Sequence, residues 1–192
     1  MTPHFRNPLL WARRIRQRRG YGVHSPFAFG LLENVVYEAL PYYAFKELDG
    51  GLSWIEKFRV KRYLHLLFRL ANYHHPSHFV FFKPDPKEQN YLTAACQYAK
   101  MTKLHDIDNG PEGDGMPKTI DENGENNLIF LSKPCDEALR MITPNSMLLL
   151  ANVHQYDEWW RRLPSVVSFD LYDLGIAFFN DDYNKQDYIV NF

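Results

Sequence analysis

His78-Phe-Val-Phe-Phe82, followed at once by Lys83-Pro-Asp-Pro-Lys87, decides how the chain is read. A short apolar run ends on a proline-punctuated turn that opens into helix-forming sequence, where Asp85 and Glu88, three apart, have the spacing of a cap for a helix starting near Pro86. The same alternation recurs downstream. It predicts strands at 78–82, 103–107, 127–131 and 146–151, with helices at 86–99, 134–142 and 154–162. Strands alternating with helices are the pattern of a parallel sheet with crossovers, so the expected class is α/β, a mostly parallel, doubly wound sheet. Asp106 to Asn127 carries four glycines, two prolines and many acids, and reads as a long surface loop. Val166 to Phe192 alternates and is rich in aromatic and β-branched residues, as a closing C-terminal antiparallel strand pair would be.

Upstream of His78 the period is helical. Ser25 before Pro26 is a helix start, and Ala28, Leu32, Val35, Val36 and Ala39 follow at helical spacing until Pro41. A second helix begins at Ser53, where Ser53 and Glu56 have capping-box spacing, and runs through Phe58, Leu64, Leu67 and Ala71. The division expected is an N-terminal helical extension over 1–75, packed on an α/β body over 76–192, within a single domain of 192 residues. The arm before Ser25 holds Arg6, Arg13, Arg14, Arg16, Arg18 and Arg19 among Leu9, Leu10, Trp11 and Ile15. It reads as a helix whose apolar stripe packs on the body while the arginines are solvated; binding to nucleic acid or an anionic surface is the alternative. The formal net charge of −1 conceals an asymmetry: residues 1–104 hold 16 Lys/Arg against 7 Asp/Glu, and residues 105–192 hold 6 against 16. The halves attract each other, or leave a basic face for an acidic partner.

Composition excludes several classes. With 45% apolar residues, long disorder is not expected. Cys96 and Cys135 lack metal-binding spacing and are expected buried and reduced. The longest apolar run, Met147–Ala151, is far short of the roughly 20 residues that span a bilayer, and no secretory signal follows the N-terminal arginines; a cytoplasmic location is expected.

Two end segments carry a resemblance. Arg19-Gly-Tyr-Gly-Val-His-Ser-Pro-Phe27 and Asp170-Leu-Tyr-Asp-Leu-Gly-Ile-Ala-Phe-Phe179, the latter followed by Tyr188-Ile-Val-Asn-Phe192, resemble a bacterial class I S-adenosylmethionine-dependent methyltransferase-like family with a Rossmann-like fold. Asn145 to Trp159 is similar to that family's fifth strand and following helix. The resemblance implies an S-adenosylmethionine site built on an acid and a glycine-rich turn after the first strand, and here Lys83 and Asp85 stand in a turn without glycine. It implies a ribose-binding acid after the second strand, for which Asp106 or Asp108 is in place. Where it implies an aspartate after the fourth strand this chain has Ser132, and where it implies paired acids after the fifth it has Ala151 and Asn152. The stretch between the second and fourth strands is too short for a third strand and its helix. The expectation is a degenerate cofactor site at Lys83, Asp85, Asp106, Ser132 and Asn152, filled by Lys83, Pro84 or Tyr91. No cofactor or metal is expected, no catalytic residue is assigned, and the role is binding or structural, with a protein partner or as a homodimer. The alternatives are an active methyltransferase with an atypical cofactor loop, using S-adenosylmethionine, and a nucleic-acid or anionic-surface binder acting through the N-terminal arginines.

Other chemistry reads as structure. His74, His75 and His78 cluster without the spacing of an established metal site, and are expected at a helix end and in a loop. His24-Ser25 reads as a helix cap, and His154 with Asp157 lacks a nucleophile elbow. Of Trp159 and Trp160, one ring is expected in the core and the other at the surface.

Overall fold

The computed structural model describes residues 25–104 and 126–192. The arginine arm, His24, Asp106, Asp108 and most of the expected acidic loop lie outside the described residues.

Ser25 starts the first helix as its position predicts: its Oγ accepts from the Ala28 amide at 3.4 Å, and α1 (Pro26–Leu31) follows. The helix does not continue to Pro41. It widens into a π turn (Leu32–Val36), and the buried Arg69 side chain takes its last carbonyls, donating from Nε to Val35 O at 2.7 Å and from a terminal nitrogen to Val36 O at 3.1 Å. A guanidinium satisfying helix-end carbonyls stands where further helical amides would have been.

α2 (Tyr43–Leu48) and a 3-10 turn (Asp49–Gly51) lead to the Ser53 capping box, which is formed on both sides, and to α3 (Trp54–Arg59). The helix expected to run from Ser53 through Ala71 is two helices. Val60 stretches to φ −116° at the end of α3, and α4 (Lys61–His74) follows it directly. Burial gives the reason: α4 presents Tyr63, Leu64, Leu66, Leu67, Leu70 and Ala71 to the core, whereas α3 buries no residue.

Among the described residues the sheet has seven strands: β1 (His78–Phe82), β2 (Lys100–Leu104), β3 (Asn127–Leu131), β4 (Met147–Ala151), β5 (Val167–Asp170), β6 (Leu174–Phe178) and β7 (Gln186–Ile189), in the order β2-β1-β3-β4-β6-β5-β7. Only β6 runs against the rest, pairing antiparallel with both β4 and β5. The fold is therefore α/β with a mostly parallel sheet, and β7 adds a strand parallel to β5. β1 sits between β2 and β3, so that Phe82 pairs with Leu104 on one side and Leu131 on the other. α5 (Pro86–Ala95) connects β1 to β2 and packs beside α4.

Because strand side chains alternate, the sheet feeds two cores. Phe79, Phe81, Leu128, Phe130, Leu149 and Ile176 pack with α1, α4 and α5, in a cluster continuous from Ala28 to Phe192. Val80, Phe82, Ile129, Leu131, Leu148 and Leu150 face the 3-10 turn Asp136–Met141 and Trp160 of α6 (Asp157–Arg161).

Several boundaries differ from expectation. β2 pairs three residues earlier than 103–107, because Ser77 O takes the Lys100 amide at 2.9 Å and His78 Nε2 meets Thr102 Oγ1 at 2.8 Å. The helix expected to reach residue 99 stops at Ala95, where Cys96 turns to φ −140° and its thiol contacts Ala71 O at 3.5 Å. Cys96 is only partly buried, unlike Cys135, and both are free thiols. The expected helix 134–142 is the 3-10 turn, its end held by Asn127 Nδ2 donating to Met141 O at 3.1 Å. The expected helix 154–162 is a 3-10 turn (Val153–Gln155) followed by the short α6.

Candidate functional site

In a doubly wound sheet the place for a ligand is the crevice at the carboxyl ends of the strands, where strand order reverses. Here that is the end of β1 beside β3, which holds three of the expected positions. Lys83 leaves β1 with φ +50°, a left-handed conformation that a glycine would adopt freely. Its side chain does not fill the crevice: Lys83 is exposed, with Nζ 5.8 Å from the centre of the Phe82 ring, and Lys133 Nζ stands 5.6 Å from the same ring. The Ser132 amide donates to Phe82 O at 3.1 Å, which carries the β1–β3 ladder one step past the strands.

Asp85 caps α5. Its Oδ1 accepts from the Lys87 amide at 2.9 Å, and its own amide donates to Glu88 Oε2 at 2.9 Å. The N-terminal amides that could receive a ligand carboxylate are thus engaged by the chain's own side chains. Glu88 is buried, and its other oxygen accepts from Tyr63 Oη at 3.0 Å. Burial raises the Glu88 carboxyl above its ordinary value, against the hydrogen bonds from Asp85 and Tyr63. Burial also pushes the Tyr63 phenol well above 10, and Glu88, Asp173 and Asp85 add to that shift. Glu88 thus links the cap of α5 to Tyr63 of α4.

Asn152 ends β4 in the left-handed region at φ +52°. Its amide donates to Asp173 O at 2.7 Å, and the next turn is locked by His154, whose Nδ1 lies 2.8 Å from Tyr172 O with the two rings stacked. Asn152 thus serves as a turn residue tied to the β5–β6 connection. Asp157 pairs with Arg161, away from any dyad with His154. Asp106 lies outside the described residues.

A second polar centre lies under α4. Asp49 accepts from Lys61 Nζ at 2.8 Å, His65 Nε2 at 2.8 Å and Tyr91 Oη at 2.7 Å. Burial pushes the Asp49 carboxyl up, but these three hydrogen bonds outweigh it and hold the group below its usual range. Burial lowers the His65 imidazole, against the hydrogen bond and the charge of Asp49. Tyr91, one of the expected fillers, is buried, and its phenol is raised by burial and by Asp49. Neither this hub nor the Tyr63–Glu88 pair was read from the sequence. The available signal was the i,i+4 spacing of Lys61 and His65, which puts both on one helix face; Tyr91 and Glu88 join only through the tertiary fold.

The three clustered histidines diverge. His74 Nε2 is 3.0 Å from Asn127 O, His75 is the left-handed cap of α4, and His78 faces Thr102. Among the described residues, no three His, Cys, Asp or Glu side chains stand together as a metal site. Trp160 is in the core, while Trp159 donates from Nε1 to Asp136 at 2.8 Å. Two clefts open elsewhere. One, of about 420 Å³, lies between the π turn and α3–α4, and another, of about 300 Å³, lies at the amino ends of the strands beside Tyr73 and Ser146. Neither is lined by residues 82–88, 132 or 152. Set against known protein families, curated proteins and solved structures, the chain matches none.

Proposed function

We propose that this chain is a divergent methyltransferase-fold protein whose S-adenosylmethionine position has closed, and that it works as a binding or structural module. The reading rests on the end of β1, where Asp85 and Glu88 engage the first amides of α5 and the buried Glu88 is held by Tyr63. S-adenosylmethionine would bring its own carboxylate toward amides that Asp85 and Glu88 already engage. The residues at this position do not fit that cofactor. Sheet order supports the kinship: parallel β2-β1-β3-β4 continues into a reversed β6, and the described strands include none in place of the third.

Calorimetric titration with S-adenosylmethionine and S-adenosylhomocysteine tests the proposal, with thermal denaturation alongside because a ligand of the native state raises its apparent stability. No heat of binding and no shift in Tm are expected. Saturable binding of either compound would overturn the closed-site reading and restore a methyltransferase.

A further inference from the structure

α3 (Trp54–Arg59) carries the largest concentration of misplaced apolar surface among the described residues. Trp54 is 83% exposed, Ile55 55% and Phe58 88%. At 100° per residue, Trp54, Phe58 and Ile55 occupy one arc of about 100°, with Lys57 bounding it on one side and Arg59 on the other. Glu56, the only acid of the helix, points away from that arc. It closes the Ser53 capping box and pairs with Lys87 of α5, and those hydrogen bonds hold its carboxyl down at about 2. The exposed face is thus apolar at its centre and cationic at both edges.

The cleft of about 420 Å³ continues that surface. Phe58 and Leu40, both exposed, stand on its rim; Lys57 and Arg62 line it together with Lys61, which Asp49 holds, and Arg69, which the carbonyls of Val35 and Val36 hold, and Glu38 is the carboxylate of the lining. A groove that receives a peptide or a partner helix is concave. Here three large side chains project outward with cations beside them, the arrangement of a helix lying in the headgroup layer, where tryptophan is favoured. No helix among the described residues is long and apolar enough to cross a bilayer.

We propose that α3 docks this protein peripherally on an anionic lipid bilayer, with Trp54, Ile55 and Phe58 entering the interface and the cationic edges and cleft meeting lipid phosphates. This does not depend on whether the cofactor position is closed: α3 meets that region through the Glu56–Lys87 pair, on the side of the helix opposite Trp54 and Phe58. The full chain is sedimented with vesicles of phosphatidylcholine alone and of equimolar phosphatidylcholine and phosphatidylglycerol. Binding to the mixed vesicles is expected to exceed binding to the neutral ones by at least about tenfold, since each basic residue near an anionic surface is worth roughly a fivefold gain. Trp54→Ala and Phe58→Ala should each cut that binding by about tenfold or more with Tm unchanged, because both side chains are solvated in the folded protein. The native protein should show a blue shift of tryptophan emission on binding, and Trp54→Phe should bind while losing that shift. Equal binding to both vesicle types, absence of binding, or full binding by the double alanine variant would each overturn the proposal. So would capture of a fluorescent single-stranded oligonucleotide without vesicle binding, which would assign the cations to nucleic acid.

Discussion

Gly175 in β6 shows how tightly single positions are set. A Cβ added there would lie 2.7 to 3.0 Å from three atoms of the Trp160 ring, which is buried and flanked by the sheet. Gly175→Ala is expected to destabilise the protein by about 1–3 kcal/mol, the usual cost of overpacking, as measured by urea denaturation. A cycle with Trp160→Phe should show strong coupling, because the clash needs both side chains. His74 makes a different prediction. Burial, which dominates, and the neighbouring His75 push its pKa from 6.5 down to about 4, against the hydrogen bond to Asn127 O. Between those values the unfolded chain binds a proton that the folded chain refuses, so stability is complete above pH 6.5 and falls as pH drops toward 4. The loss is up to about 3 kcal/mol at the low end. His74→Gln retains a donor for Asn127 O and has no titration, so its Tm should vary less with pH over this window than that of the native protein. An identical slope would exclude His74 as the origin.

Helix starts were the most legible elements, for a local reason. Ser25, Ser53 with Glu56, and Asp85 with Glu88 act through hydrogen bonds closed within three residues, and all three caps form. They are not equivalent in strength. The Ser53 box is exposed, whereas the Asp85 box is joined through Glu88 to buried Tyr63. Asp85→Ala should therefore cost about 1–2 kcal/mol and Ser53→Ala about 0.5–1 kcal/mol, read from denaturant midpoints. Equal losses would mean that the link to Tyr63 adds nothing. Helix ends were less legible, because distant groups impose them: Arg69 takes the carbonyls of the π turn from 33 residues away, and Ala71 O receives the Cys96 thiol. β2 was misplaced because Lys100-Met-Thr-Lys-Leu104 is an edge strand with alternate residues in solvent, so it lacks the apolar run that marks β1, β3 and β4. The candidate site was legible as a cap and as a turn without glycine. The hydrogen bond from Tyr63 to Glu88 was not, since that contact spans 25 residues between two helices.

At the scale of the molecule, the sheet couples everything to everything else. Phe79 and Phe81 enter the core beneath α1, α4 and α5, while Val80 and Phe82 of the same strand enter the core beside Trp160. Neither core can lose its packing without exposing the other through the shared strands. The residues expected as an N-terminal extension over 1–75 are part of this arrangement where they are described: Arg69 holds the π turn, Tyr63 donates to Glu88 of α5, and Tyr37 Oη donates to Asn191 O at 2.9 Å near the C-terminus. Helix content comes largely from α4 and α5 on one face, and Trp160 reports on the other. Urea unfolding followed by far-UV circular dichroism and by the near-UV signal of the buried aromatic side chains should therefore give one transition with the same midpoint. A helical signal lost before the near-UV signal would mean that the helices before β1 come away from an intact sheet. The Tyr63–Glu88 hydrogen bond would then break at a lower free energy than the fold itself.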